Sequence, residues 1–155
     1  MNIKLIYISK SKSNNIELLV EDYEKKINHF ISYSSIGLKN KNQKTEKKLI
    51  QKSESDLILK NIKSDDLVIL LDEKGKEFTT MDFSKFISDK IMNRSKNIVF
   101  IIGGAYGFST EFKEKFKLKI ALSKFTFSHD LARLFFIEQL YRSLTIINNI
   151  PYHNQ

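Results

Sequence analysis

Gly103, Gly104 and Gly107 lie in the stretch VFIIGGAYGFST, directly after an apolar run that ends at Ile102. A main chain stripped of side chains behind a buried strand lets a ligand approach it closely, and in many nucleotide-binding folds that ligand is a phosphate. The spacing is neither G-x-G-x-x-G nor that of a P-loop, and no lysine or arginine follows until Lys113. The loop therefore reads as a seat for a nucleoside-like ligand without a phosphate tail, with a plain strand-to-helix turn as its alternative.

Two further stretches have comparable character: Leu71 and Asp72 ahead of EKGK, and LSKFTF from Leu122 to Phe127. The last long helical segment adds His129, either a polar residue of a first turn or a catalytic one. Glu138 and Arg142 stand at i and i+4 in the favourable order, as an ion pair or as site residues. Ser123 and Ser128 have no evident Ser/His/Asp arrangement, and the three histidines are too scattered for a metal centre. No metal is expected. The absence of cysteine excludes disulfides and thiolate chemistry.

These residues need a scaffold, and 155 residues fit one domain, spanning 1–155. Apolar runs alternate with helix-period segments, the pattern of an α/β domain with a mainly parallel sheet. Strands are predicted at 3–8, within 31–38, at 66–72, at 97–102 and in LKIALS. The first helix follows Asn14 or Asn15 as cap and presents Leu19, Tyr23 and Ile27, with Phe30 closing the face. A lysine-dense linker at 39–48, a solvated loop or an RNA-contacting arm, leads into a helix ending near Ile62. EKGK is expected to turn the chain. A helix over 80–92, a short one capped by Ser109 or Thr110, and a last one over 129–149 ended by Pro151 complete the order. In open parallel sheets ligands gather beyond the carboxyl ends of strands, where all three unusual stretches fall.

The net charge of +8 suits a polyanionic partner such as RNA, although compositional drift towards lysine would produce it too. The N-terminus reads as a strand rather than a signal peptide, and no run is long enough for a membrane span, so a cytoplasmic protein is expected. The last helix carries Leu131, Leu134, Phe135, Ile137, Leu140, Tyr141 and Leu144, more than one apolar stripe. It should be buried on several sides, within the fold or against a second subunit.

The series LLDEKGK, FIIGGAYG and LSKFTFSHDLARLFFIEQLYRSLTIINNIPYH resembles the RlmH family of SPOUT methyltransferases, the ribosomal large-subunit pseudouridine N3-methyltransferases, in order and spacing along the whole chain. The resemblance implies an α/β knot, a parallel sheet with helices on both faces and a C-terminal trefoil, and a homodimer packed through the C-terminal helix. It implies S-adenosylmethionine as cofactor, held by Leu71, Gly103, Leu122, Ser123, Lys124, Phe125, Thr126 and Phe127. On the substrate side it implies His129, Arg133, Glu138, Tyr141, Arg142, Tyr152 and His153, partly from the other subunit, with His153 or Glu138 handling the proton. The substrate implied is large-subunit rRNA within the ribosome. The family often has a basic residue after PYH; here Asn154 stands there. A non-catalytic RNA-binding α/β module is the competing reading.

Overall fold

The structure is a computed structural model that describes residues 1–9, 14–41, 45–93 and 97–154. Five strands alternate with five helices: β1 (Ile3–Ile8), α1 (Asn14–Asn28), β2 (Tyr33–Leu38), α2 (Lys47–Leu59), β3 (Leu67–Glu77), α3 (Thr80–Met92), β4 (Ile98–Ile102), α4 (Thr110–Lys115), β5 (Lys119–Ala121) and α5 (His129–Ile147). The strands form one sheet in the order β2-β1-β4-β3-β5, and every pairing is parallel.

Successive strand side chains point to opposite faces, so each apolar run feeds two cores at once. From β1, Ile3, Leu5 and Tyr7 join the core beneath α1, α3 and α5, while Ile6 and Ile8 join the one beneath α2 and α4. β4 divides likewise, with Ile98, Phe100 and Ile102 on the first face and Val99 and Ile101 on the second. Its uninterrupted burial follows from its central place with helices on both sides.

Four expectations are corrected. EKGK does not end β3: after a break in register between Leu71 and Lys76 the strand resumes and pairs Lys76 with Ile120 and Glu77 with Ala121. Gly75 makes this possible, because a Cβ there would lie 2.6 Å from the Ile120 backbone nitrogen. Of the face predicted for α1, Tyr23, Ile27 and Phe30 do pack on the core, but Leu19 is 51% exposed and Val20 is buried in its place. Asn14 and Asn15 lie inside α1 rather than before it, and the residues ahead, 10–13, are outside the described ones.

The fourth correction concerns the end of α5. Pro151 does not stop it; Asn149, at φ 55°, does. The Ile150 amide donates to the Thr145 carbonyl at 2.9 Å and the Asn149 amide to the Ile146 carbonyl at 3.1 Å, a Schellman closure with asparagine in the left-handed position. The tail thereby doubles back along the helix. Within the linker at 39–48, residues 42–44 lie outside the described residues, and Lys47 and Lys48 form the first turn of α2.

Candidate functional site: a glycine-floored cleft and a C-terminal polar cluster

A parallel sheet sends all its carboxyl ends to one edge, and here β3, β4 and β5 deliver the three stretches singled out in the sequence to one cleft. Its volume is about 800 Å³, within the range of small-ligand sites. The lining includes Leu71, Gly103, Leu122, Ser123, Phe125, Thr126, Phe127 and His129. Lys124 is not part of it: its side chain is 87% exposed and its nearest acidic partner is Glu77, at 3.9 Å. A smaller cavity of about 330 Å³ between α3 and α5 shares Leu71, Leu122 and Phe127 with the cleft.

The floor is bare backbone for identifiable reasons. A Cβ on Gly103 would stand 3.1 Å from the Phe108 ring, and one on Gly104 would fall on the Glu54 carboxylate. Gly107 has φ +64°, the left-handed region, and closes the turn by donating its amide to the Gly104 carbonyl at 2.9 Å. Ser109 then caps α4, its hydroxyl accepting from the Phe112 amide.

Polar contacts fix the walls. Gln51 and Glu54 of α2 are both buried, and Gln51 Nε2 donates to the Tyr106 carbonyl at 3.0 Å, so α2 buttresses the glycine loop. Asp72 pairs with Lys113 at 2.6 Å and accepts the Lys74 amide at 2.9 Å. Burial alone would push the Asp72 carboxyl up; the Lys113 ammonium and the Lys74 amide outweigh it and hold the group below its ordinary range. Thr126 donates to Glu73 at 2.9 Å, tying the loop after β5 to the break in β3. Lys113, the first cation after the glycines, is thus engaged at the wall.

A second constellation lies at the far end of α5. Glu138 Oε1 accepts from Arg142 Nε at 3.0 Å, from Arg142 Nη2 at 2.6 Å and from the Tyr152 hydroxyl at 3.2 Å, while Oε2 accepts from Gln139 at 2.8 Å. Tyr152 also meets the Tyr23 hydroxyl at 3.2 Å and packs edge-on against Tyr141. Burial, the Tyr23 contact and the Glu138 charge all push the Tyr152 phenol up, so it stays protonated and serves as a donor. The hydrogen bonds Arg142 donates to Glu138 outweigh partial burial and raise the guanidinium further. His153 Nδ1 lies 3.4 Å from Arg142 Nη1, and since a guanidinium only donates, Nδ1 is the acceptor in that contact.

Arg133 joins neither constellation. It is 1% exposed in the core beneath α1, donates at 2.5 Å to both the Tyr7 hydroxyl and Glu17, and lies over the Tyr7 ring with 4.6 Å to the centroid. Burial works against its charge, yet Glu17 and Tyr7 outweigh that and raise its pKa. Its Nε finds no partner among the described residues.

The structure therefore brings seven of the eight candidate ligand-binding residues together, with His129 beside them, and groups Glu138, Tyr141, Arg142, Tyr152 and His153 elsewhere. Gln51 and Glu54 were missed. Their signal was available: they stand at i and i+3 with Ile58 at i+7, the buried face of α2. Among the described residues no cluster of His, Cys, Asp and Glu could hold a metal, and no helix is long and apolar enough to cross a membrane.

Residues 1–153 match the family described as "Predicted SPOUT methyltransferase". Ribosomal RNA large subunit methyltransferase H of Flavobacterium psychrophilum is 46% identical over 157 aligned residues, covering 100% of both chains. The protein of the same name from Flavobacterium johnsoniae is 43% identical over 158, again covering 100% of both. Among solved structures, a Legionella pneumophila protein described as a methyltransferase, crystallised with its cofactor SAM, superposes with TM-score 0.50 and 14% identity over 90% of this chain and 65% of that one. That last likeness is one of fold.

Proposed function

The chain belongs to the SPOUT methyltransferase family, and on that premise we propose that it uses S-adenosylmethionine to methylate N3 of a pseudouridine in 23S-type large-subunit rRNA, acting in the cytoplasm on the assembled ribosome. The cleft suits the cofactor: the missing Cβ atoms of Gly103 and Gly104 let Phe108 and Glu54 close up against the loop, so that main chain lines the cleft, the volume is ample, and Lys113, the cation nearest the floor in sequence, is paired with Asp72. When bound, S-adenosylmethionine supplies an electrophilic methyl group on a positively charged sulfur.

The chain's own residues then orient and deprotonate. The main chain at 103–107 and the loop at 122–127 fix the donor, and the Gln51 and Thr126 hydrogen bonds keep both loops still. Glu138 holds Arg142 in place, Tyr152 donates to Glu138, and Arg142 presents a fixed charge to the substrate. Every Glu138 oxygen already accepts hydrogen bonds, so His153 is assigned the proton of N3, which its Nδ1 takes once the substrate displaces the 3.4 Å contact from Arg142.

One observation carries the subunit arrangement. At about 1.5 Å per residue α5 puts Arg142 on the order of 20 Å beyond His129, so one chain does not bring the polar cluster to its own cleft. A homodimer packed through α5 would set one subunit's tail against the other's cleft. The outer stripe of α5 supports it, with Leu131 and Phe135 still 39% and 43% exposed. The trefoil threading of the C-terminal segment belongs to the same reading.

The test is mass spectrometry of rRNA from cells lacking the gene. One methylated pseudouridine is expected to disappear and to return with the intact gene but not with a Gly103→Val copy. Unchanged rRNA would end the assignment and favour the non-catalytic RNA-binding module.

A further inference from the structure

Two aromatic rings stand at the cleft without a packing partner to explain them. Tyr106, at the tip of the glycine loop, is 49% exposed, and Phe125, in the loop after β5, is 78% exposed. Both line the same cleft from separate loops. Neither belongs to the ring-to-ring contacts found among the described residues, although most phenylalanines of this chain pack against another ring.

Their backbones are held in place. The Tyr106 carbonyl accepts from Gln51, the turn beneath it is closed by Gly107 to Gly104, the Phe125 amide donates to the Ser123 hydroxyl at 3.0 Å, and Thr126 is tied to Glu73. Exposed apolar surface on pinned backbone marks a contact site more than a solvated loop tip.

The charge around the rings indicates the class of occupant. Lys47 and Lys48, in the first turn of α2, and Lys74, in the break of β3, line the cleft and are exposed, and none of the three is in an ion pair among the described residues. Cations in a helix's first turn work against its dipole, so their placement gains the fold nothing. Exposed aromatic rings and cations that can meet phosphates are the two components of single-stranded nucleic-acid recognition.

We infer that Tyr106 and Phe125 form a base-stacking mouth, which takes an unpaired nucleotide of the RNA between the glycine loop and the loop after β5 while Lys47, Lys48 and Lys74 meet its flanking phosphates. This deepens the proposed function and rests on it: the stacked nucleotide is the target pseudouridine or its immediate neighbour. The Tyr106 side chain is a substrate-positioning group here, while the main chain at Tyr106 and Phe125 stays part of the cofactor seat.

The experiment compares wild type, Tyr106→Ala and Tyr106→Trp on ribosomes from cells lacking the gene. Methyl transfer, S-adenosylmethionine binding by calorimetry and subunit association by sedimentation are read for each. Loss of one stacking face lowers kcat/KM by roughly 5- to 150-fold in the alanine variant, the tryptophan variant keeps most of the rate, and cofactor affinity and association stay as in wild type. An unchanged rate in Tyr106→Ala overturns the inference while leaving the methyltransferase standing. Weakened cofactor binding would assign the ring to the cofactor, and a dissociated variant would assign it to a second copy of the chain; either overturns it. A wild type that neither methylates nor binds ribosomes removes the proposed function and this inference together.

Discussion

The cleft and the C-terminal cluster are built by opposite means. The cleft is floored by glycine backbone, with one wall ion pair, Asp72 to Lys113, closed in place and Lys47, Lys48 and Lys74 left exposed along it. The cluster is made of side chains: a carboxylate accepting hydrogen bonds from Arg142, Gln139 and Tyr152, with His153 at the edge. A site of the first kind is sensitive to volume and indifferent to modest changes of charge. One of the second kind is sensitive to charge and hydrogen bonding, even when shape is conserved.

The largest expected effect joins the two regions. Gly103→Val should fold yet lose S-adenosylmethionine binding, because its side chain meets the Phe108 ring and occupies the floor. His153→Ala should keep cofactor binding and lose turnover. If cleft and tail meet across a two-fold axis, mixing the two inactive proteins and allowing subunit exchange restores about a quarter of wild-type activity, since half the dimers are mixed and each regains one intact site. A mixture that stays inactive in the radiolabelled methyl-transfer assay would show that each subunit uses its own tail.

Glu138→Gln sharpens the contrast at smaller magnitude. Shape is retained and the charge gripping Arg142 is lost, so methyl transfer should fall roughly 10- to 150-fold, in line with the roughly 1.5–3 kcal/mol of a charge-assisted hydrogen bond, with cofactor affinity unchanged. Calorimetry reporting weaker cofactor binding would mean that the two regions are not separate.

The smallest effect is on stability. Asp72 is held below its ordinary 3.8 in the folded protein, so its pairing stabilises the fold above that value and the contribution drains away as pH falls through the lower folded value. Urea midpoints of wild type and Asp72→Asn should differ near neutral pH and converge once pH has fallen through the folded value. A difference that persists in acid would place the effect in packing rather than in the ion pair.

What could be read without coordinates follows the range of each interaction. The strands were legible because a run such as NIVFII is buried on both faces of a parallel sheet, and the cleft because such a sheet collects its carboxyl ends. The continuation of β3 through EKGK was not, since Gly and Lys signal a local turn while the deciding partner is β5, more than forty residues later. Val20 replaced Leu19 at the start of the inward face of α1 because Leu18, Leu19 and Val20 are adjacent and apolar, and only the sheet beneath selects among them. Asn149 hid behind the louder signal of Pro151. The burial of Arg133 was illegible for the plainest reason: an arginine in the core makes sense only once Glu17 and Tyr7 are seen around it.

That arginine also dictates when the molecule can finish forming. The hydrogen bond from Arg133 to Tyr7 spans 126 positions, and Phe136, Ile137 and Leu140 are needed to roof the same face of the sheet. While the chain is being synthesised, its opening strand and helix wait with an uncovered greasy surface until α5 has been made. A product cut short before that helix should therefore be held by chaperones or degraded rather than accumulate as a smaller working protein.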